Sequence, residues 1–190
     1  MTDHDEVRPP RRRDAARSRE LLVQAAMELF ADRGYERTTT REIGERAGVD
    51  PALIARYFGG KLQLYLAAVR AEQGDQPPAD LLDRDRLHWL LARFDQRGGG
   101  PSFPAAVLPG DNAEVQRAAR EHLRHRMVDP LRERFTAEGV PQAQLRAEVA
   151  AAALAGVLMA RTSGAFEELT RADLAELEPL LHAFLGALRP

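Results

Sequence analysis

The chain has 190 residues, 44% hydrophobic and 29% charged, with a formal net charge of −2; this supplies a packed core and no large excess of either sign for generic polyanion binding. Alanine and leucine dominate the apolar set and β-branched residues are scarce, which excludes a sandwich, barrel or parallel sheet and points to an all-α fold. With no cysteine there is no disulfide framework, thiolate nucleophile or cysteine-type zinc site.

Residues 1–17 carry Pro9, Pro10 and the run Arg11, Arg12, Arg13 with almost no apolar side chains. Such a segment buries too little surface to offset its ordering entropy, so it reads as a flexible basic arm. Its basic groups, with Arg17 and Arg19 beyond, either meet phosphate or are simply solvated. From Ser18 the pattern becomes helical: Leu21, Leu22, Ala25, Leu29 and Phe30 recur on one stripe, and Gly34 ends the helix. Thr38, Thr39 and Thr40 offer caps for a short helix bearing Ile43 and Ala47, which Gly48 breaks. Asp50 followed by Pro51 starts a third helix through Leu53, Ile54, Tyr57 and Phe58, stopped by Gly59 and Gly60. A fourth helix runs over 61–72, with Leu62, Tyr65, Leu66 and Val69 on its apolar stripe.

Residues 74–78 read as a connection. Beyond it the spacing predicts helices over 81–94, 114–135 with a bend at Pro130, 142–162 and 172–188, and loops over 97–104 and 139–141. The division is thus a basic arm at 1–17, a three-helix unit with a connecting helix at 18–72, and a larger helical domain at 73–190. The longest uninterrupted apolar run, 149–160, is shorter than a membrane span requires and reads as a buried helix. Together with the lack of an apolar h-region near the N-terminus, this implies a cytoplasmic protein without a membrane partner.

Two short helices around a tight turn, after one longer helix, are helix-turn-helix grammar. The second must be short, anchored on one side and small or polar on the other to enter a major groove about 12 Å wide. Ile43, Ala47, Val49, Ile54 and Phe58 can anchor it, leaving Pro51, Ala52, Ala55 and Arg56 outward and Leu53 and Tyr57 at the edge. On periodicity alone an ordinary helical hairpin is the stronger reading.

The stretch TTREIGERAGVDPALIARYFGGK at 39–61 resembles the DNA-binding signature of the tetracycline-repressor (TetR) family of bacterial transcription regulators, and the likeness extends over 18–67. The remainder resembles the family in helical layout, with 116–188 similar to C-terminal domains of some actinobacterial members. The resemblance implies that Thr40 meets phosphate and Arg41 phosphate or a base edge. It implies that Pro51, Ala52, Leu53, Ala55 and Tyr57 line the groove and that Lys61 reaches the backbone. At Leu53 and Ala55 many members carry hydroxyls or tyrosine; here base readout falls to Arg41 and Arg56 or to DNA shape.

For the C-terminal domain the resemblance implies a homodimer through the last two helices. Val149, Ala153, Gly156, Ala160, Leu177, Leu181, Phe184 and Leu188 are its candidate residues, with purely intramolecular packing as the other reading. It also implies an effector pocket, for which Trp89, Phe94, Phe103, His122, Arg126, Met127, Leu158, Met159, Thr162 and Phe166 are candidates, though most of them read as core. That set suits a hydrophobic or aromatic small molecule. His122 and His125 share a helix face, but no third ligand is identifiable, so no metal and no cofactor are expected. No Walker loop, His-Glu-x-x-His or Gly-x-Ser-x-Gly is present, which argues against an enzyme. The expectation is a ligand-responsive repressor that binds a palindromic DNA operator as a homodimer. The alternative is an all-helical small-molecule-binding or protein-interaction module without DNA-binding activity.

Overall fold

The computed structural model describes residues 11–73 and 80–189. It is all-α, with no strand among the described residues. In chain order the helices are α1 (Arg11–Arg37), α2 (Thr40–Ala47), α3 (Ala52–Phe58), α4 (Lys61–Gln73), α5 (Arg84–Arg97), α6 (Ser102–Val107), α7 (Ala113–Leu123), a π-helical turn (Arg124–Val128), α8 (Asp129–Ala137), α9 (Ala143–Ser163), α10 (Glu167–Arg171) and α11 (Leu174–Gly186).

Two hydrophobic cores organise these elements. The first gathers Leu22, Ala26 and Phe30 of α1, Ile43 of α2, Ile54 of α3 and Leu64, Tyr65 and Ala68 of α4 around an aromatic cluster. Phe30, Tyr35 and Tyr65 meet there at centroid separations of 5.3–5.7 Å, within the range that favours edge and offset contacts. The second core joins Leu87 and Leu91 of α5, Leu131 and Phe135 of α8, Leu154 and Leu158 of α9, and Leu177, Leu181 and Leu185 of α11. The two are stitched together by α4, α6 and α7: Val115 of α7 sits in the first core, and the Tyr65 hydroxyl donates to the Pro101 carbonyl at 3.3 Å.

Several boundaries differ from the sequence expectation for identifiable reasons. Helix α1 begins at Arg11, so the expected arm is already helical over its second part. Ala15 and Ala16 are strong helix formers, and Asp14 stands in the first turn, where a negative charge favours the helix dipole. Residues 1–10 and the expected connection at 74–78 lie outside the described residues. The helical geometry of α1 breaks at Gly34, φ 76°, as expected. The expected loop at 97–104 instead runs into α6, because Pro101 precedes the helix in an α conformation, a position where its fixed φ assists initiation. The single bent helix expected over 114–135 divides into α7, the π turn and α8. Pro130 stands at the start of α8, and the wide turn before it lets the Asp129 N–H reach the Arg124 carbonyl one residue further back. Helix α10, exposed and without a buried residue, offered no periodicity to find.

Helix α9 is long and apolar enough to cross a membrane by length and composition. Its Ala147, Ala150, Ala151, Leu154, Ala155 and Leu158 are buried in the second core, which makes it a core helix of the fold.

Candidate nucleic-acid interface and interior pocket

The start of α2 is fixed by a reciprocal cap. Thr39 Oγ1 accepts from the Glu42 N–H at 3.2 Å, and Glu42 Oε2 accepts from the Thr39 N–H at 2.8 Å. Such a pair satisfies two orphan donors of the first turn. Two ion pairs then fasten α2 to α1: Arg46 grips Glu28 through two nitrogens at 2.8 and 3.0 Å, and Arg33 meets Glu42 at 3.1 Å. Thr38, fully buried, donates to the carbonyl of Gly34 at 2.8 Å and lies 3.2 Å from that of Leu29, tying the preceding loop to the end of α1.

The turn between α2 and α3 depends on Gly44. A Cβ there would stand 2.5 Å from Pro51 Cγ and 2.8 Å from the Val49 carbonyl oxygen, closer than real contacts allow. Gly48 ends α2 in the left-handed conformation, and Asp50 Oδ1 accepts from the Ala52 N–H at 2.8 Å to open α3. Ile54 is buried against Ile43, which turns Ala52, Ala55 and Arg56 to solvent and leaves Pro51, Leu53 and Tyr57 half-buried. The Arg19 guanidinium lies over the Tyr57 ring at 5.0 Å, adding a cation beside this face.

Arg41 is exposed at the start of α2 and pairs with Glu45 at 2.8 Å, while Thr40, the first helical residue, is half-buried. Lys61 opens α4 with its ammonium 4.2 Å from the Tyr35 ring centroid and 3.5 Å from the Glu36 carbonyl. Burial lowers its pKa, against the opposing pull of Glu36 and Glu42. The nine candidates for DNA contact are therefore carried on α2, α3 and the start of α4. Sequence reasoning gave no separate weight to Gly44 or the Arg46–Glu28 clamp; a glycine inside a helical pattern was the available signal for the first.

Between α4, α5, α6, α7 and the π turn lies a cavity of about 50 Å³. Six of the ten effector candidates line it: Phe94, Phe103, His122, Arg126, Met127 and Leu158. Four do not. Trp89 projects to solvent beside Arg93, Met159 packs at the edge of the second core, the Thr162 hydroxyl bonds carbonyls of its own helix, and Phe166 is 63% exposed. Glu72, Arg93 and Ser102 also line it and were not foreseen. The signal for Glu72 was its register, since Tyr65, Val69 and Glu72 follow one buried stripe of α4. Burial raises the Glu72 pKa, while Ser102 and Arg93 oppose the shift. His122 is pushed down to about 4, first by burial and then by Arg126, Arg93 and His125. Among the described residues no group of three potential metal ligands occurs.

The candidate dimer residues separate by face. Val149, Gly156 and Phe184 are exposed, and Ala153, Ala160 and Leu188 are half-buried. Leu177 and Leu181, in contrast, point into the protomer's own core together with Leu185. The outward apolar positions include Leu145 on α9 and Leu180 on α11, the latter 70% exposed.

The sequence model for bacterial regulatory proteins of the tetR family matches residues 22–68, and that for the tetracyclin repressor-like C-terminal domain matches 80–188. Over 56 residues the chain is 45% identical to the HTH-type transcriptional regulator BetI of Rhizobium meliloti (strain 1021), a stretch covering 30% of this chain and 28% of that protein. Over 82 residues it is 39% identical to the HTH-type transcriptional repressor Rv3405c of Mycobacterium tuberculosis (strain ATCC 25618 / H37Rv), covering 38% of this chain and 43% of that one. The chain thus spans less than half the length of these curated relatives. Among solved structures, TylP, a TetR regulator from Streptomyces fradiae, superposes with a TM-score of 0.66 at 26% identity over 94% of this chain and 81% of its own. FadR from Bacillus subtilis, solved with stearoyl-CoA, has a TM-score of 0.56 at 18% identity over 87% and 96%, a likeness of fold. These relatives are named as regulators, in line with the expectation that the chain is not an enzyme. With its N-terminal unit and most of its remaining length both matched, the chain belongs to the TetR family of bacterial regulatory proteins.

Proposed function

We propose that the protein is a cytoplasmic, ligand-responsive transcriptional regulator, a repressor in its simplest form, that binds a palindromic DNA operator as a homodimer. Residues 18–72 serve as the reader and 73–190 as the effector and dimerisation domain. The observation that carries this reading is the outward face of α3, where Ala52, Ala55 and Arg56 stand exposed on a helix whose other side, at Ile54, is locked into the core. A short helix anchored in this way fits a major groove, with Arg41 and Lys61 meeting the flanking backbone. Because Leu53 and Ala55 cannot donate to a base, they contact thymine methyls, and Arg56 and Arg41 supply the polar readout.

Two such readers need a spacing of about 34–36 Å, or a multiple of it, to enter successive grooves on one face of the duplex. The exposed apolar stripe of α9 and α11, with Leu145, Val149, Gly156, Leu180 and Phe184, supports pairing of two copies through these helices. The cavity among α4, α5, α6, α7 and the π turn is the effector site in this reading, and an apolar or aromatic molecule there acts by altering the separation of the readers.

The test is a titration of the full chain against DNA from upstream of its own gene at several salt concentrations. Binding to a short palindrome is expected to weaken steeply as salt rises and to fall by about tenfold or more in Arg41→Ala and in Lys61→Ala. Salt-insensitive association, or none, would favour the helical module that does not read DNA.

A further inference from the structure

The effector cavity carries more charge than an apolar occupant needs. The Glu72 side chain, 5% exposed, ends α4 there; its carboxylate lies 4.0 Å from Arg93 of α5 and 3.8 Å from His122 of α7, and accepts from the Ser102 N–H at 3.3 Å. Gly100 approaches so closely that a Cβ in its place would collide with the carboxylate. Arg126 is brought in from the π turn, is itself buried, and shares its field with Glu72, Arg93 and Arg86. Burial keeps His122 neutral near pH 7, so two guanidiniums face one carboxylate at this end of the cavity. The rest of the wall is apolar: Leu90, Phe94, Phe103, Met127 and Leu158.

Size adds a second constraint. Pockets for small organic ligands occupy roughly 300–1,000 Å³, whereas this cavity holds about 50 Å³. An effector must therefore displace something, and the charged side chains that close the polar end are the groups with somewhere to go.

Resting on the reading of this cavity as the effector site, we propose that the effector is a small organic anion, a carboxylate on an apolar body, and that Glu72 is its internal stand-in. The head of the ligand takes the place of the Glu72 carboxylate between Arg93 and Arg126, and the apolar body lies along Phe94, Phe103 and Met127. Charge-assisted, bidentate pairing makes guanidinium the group suited to such a head. Expulsion of Glu72 then acts on DNA binding directly, because the same helix carries Leu64 and Tyr65 in the core that holds α3.

The experiment follows the single tryptophan, Trp89, whose ring lies 5.7 Å from the Arg93 guanidinium, while the full-length protein is titrated with octanoate, octanol and octylamine. Octanoate is expected to bind about tenfold tighter than octanol or more, with octylamine weakest. Glu72→Gln removes the competing charge and is expected to tighten octanoate by about tenfold while leaving octanol unchanged. Arg93→Gln and Arg126→Gln each are expected to erase the preference for the acid, with circular dichroism confirming that each variant is folded. Equal binding of octanol and octanoate, preference for octylamine, weaker octanoate binding in Glu72→Gln, or no binding of any of the three overturns the proposal. Operator binding of the ligand-free protein, measured on the same preparation, separates the two readings. Intact DNA binding without acid preference sinks the anionic effector alone, and acid preference without DNA binding sinks the regulator alone.

Discussion

The two halves of the molecule treat charge in opposite ways. In the N-terminal unit the charged groups stay at the surface and act as fasteners: Arg46 on Glu28, Arg33 on Glu42, and Glu42 on the cap of α2. Its core is apolar except for Thr38, whose hydroxyl is satisfied by backbone carbonyls. The C-terminal domain instead takes His122 and Arg126 inside and closes them around Glu72 at the far end of α4, beside a small cavity and a π-helical turn. Surface fasteners are individually weak and collectively define a shape, whereas buried charges demand mutual compensation and respond strongly when one partner is exchanged. The first arrangement suits the proposed presentation of one fixed helix, and the second suits the proposed response to a bound molecule.

The contrast can be broken at several points, in decreasing order of effect. Replacing Leu180 and Phe184 together by Asp is expected to leave the protomer folded, since both are exposed, and to yield monomers by sedimentation. Operator affinity should then fall by roughly 10²–10⁴-fold, the avidity lost when two readers are no longer joined. Gly44→Ala strikes the fastened half where no space exists. Chemical denaturation is expected to show a loss of about 2–3 kcal/mol, the cost typical of overpacking. An unchanged midpoint would mean that the turn yields more readily than its geometry implies.

The half with buried charge should reveal itself through pH. The folded pKa of His122 lies below its ordinary value, at about 4. Its contribution to stability is therefore full above about pH 6.5 and lost as pH falls from there towards about 4, by on the order of 3 kcal/mol. Glu72 works in the opposite direction: its pKa is raised, so its contribution is present at low pH and lost as pH rises through the raised value. Facing groups are Glu72 from α4, Arg93 from α5 and Arg126 and His125 from the π turn. Thermal melts of His122→Gln and Glu72→Gln across pH 4–7.5 should separate the two slopes, with the His122 variant flatter on the acid side. The smallest effect belongs to Arg46→Ala, about 0.5 kcal/mol by denaturation, as expected for an exposed pair.

Legibility in the sequence followed the same division. The N-terminal helices are set by local signals, such as Asp50 before Pro51 and glycines at 34, 48 and 59, so their order and outward face could be read directly. In the C-terminal domain the decisive facts are three-dimensional. Leu177 and Leu181 share the apolar pattern of α11 with Leu180 and Phe184, and only packing into the second core, chiefly against α5, decides which pair faces inward. Glu72 and Arg93 look like ordinary surface charges until α6 closes over them. Proline misled in one place and informed in another: Pro101 opens α6 instead of prolonging a loop, while Pro130 does break the helix that contains it.

Helix α4 touches both halves, with Leu64, Tyr65 and Ala68 in the first core and Glu72 lining the cavity beside the second. The natural seam for recombination in this protein therefore falls after α4, not before it. A chimaera spliced upstream of Lys61 would strip the lid from Phe30 and inherit a foreign strut, whereas one that carries α4 intact would keep a sound reader and need only a receiver shaped to hold its last turn.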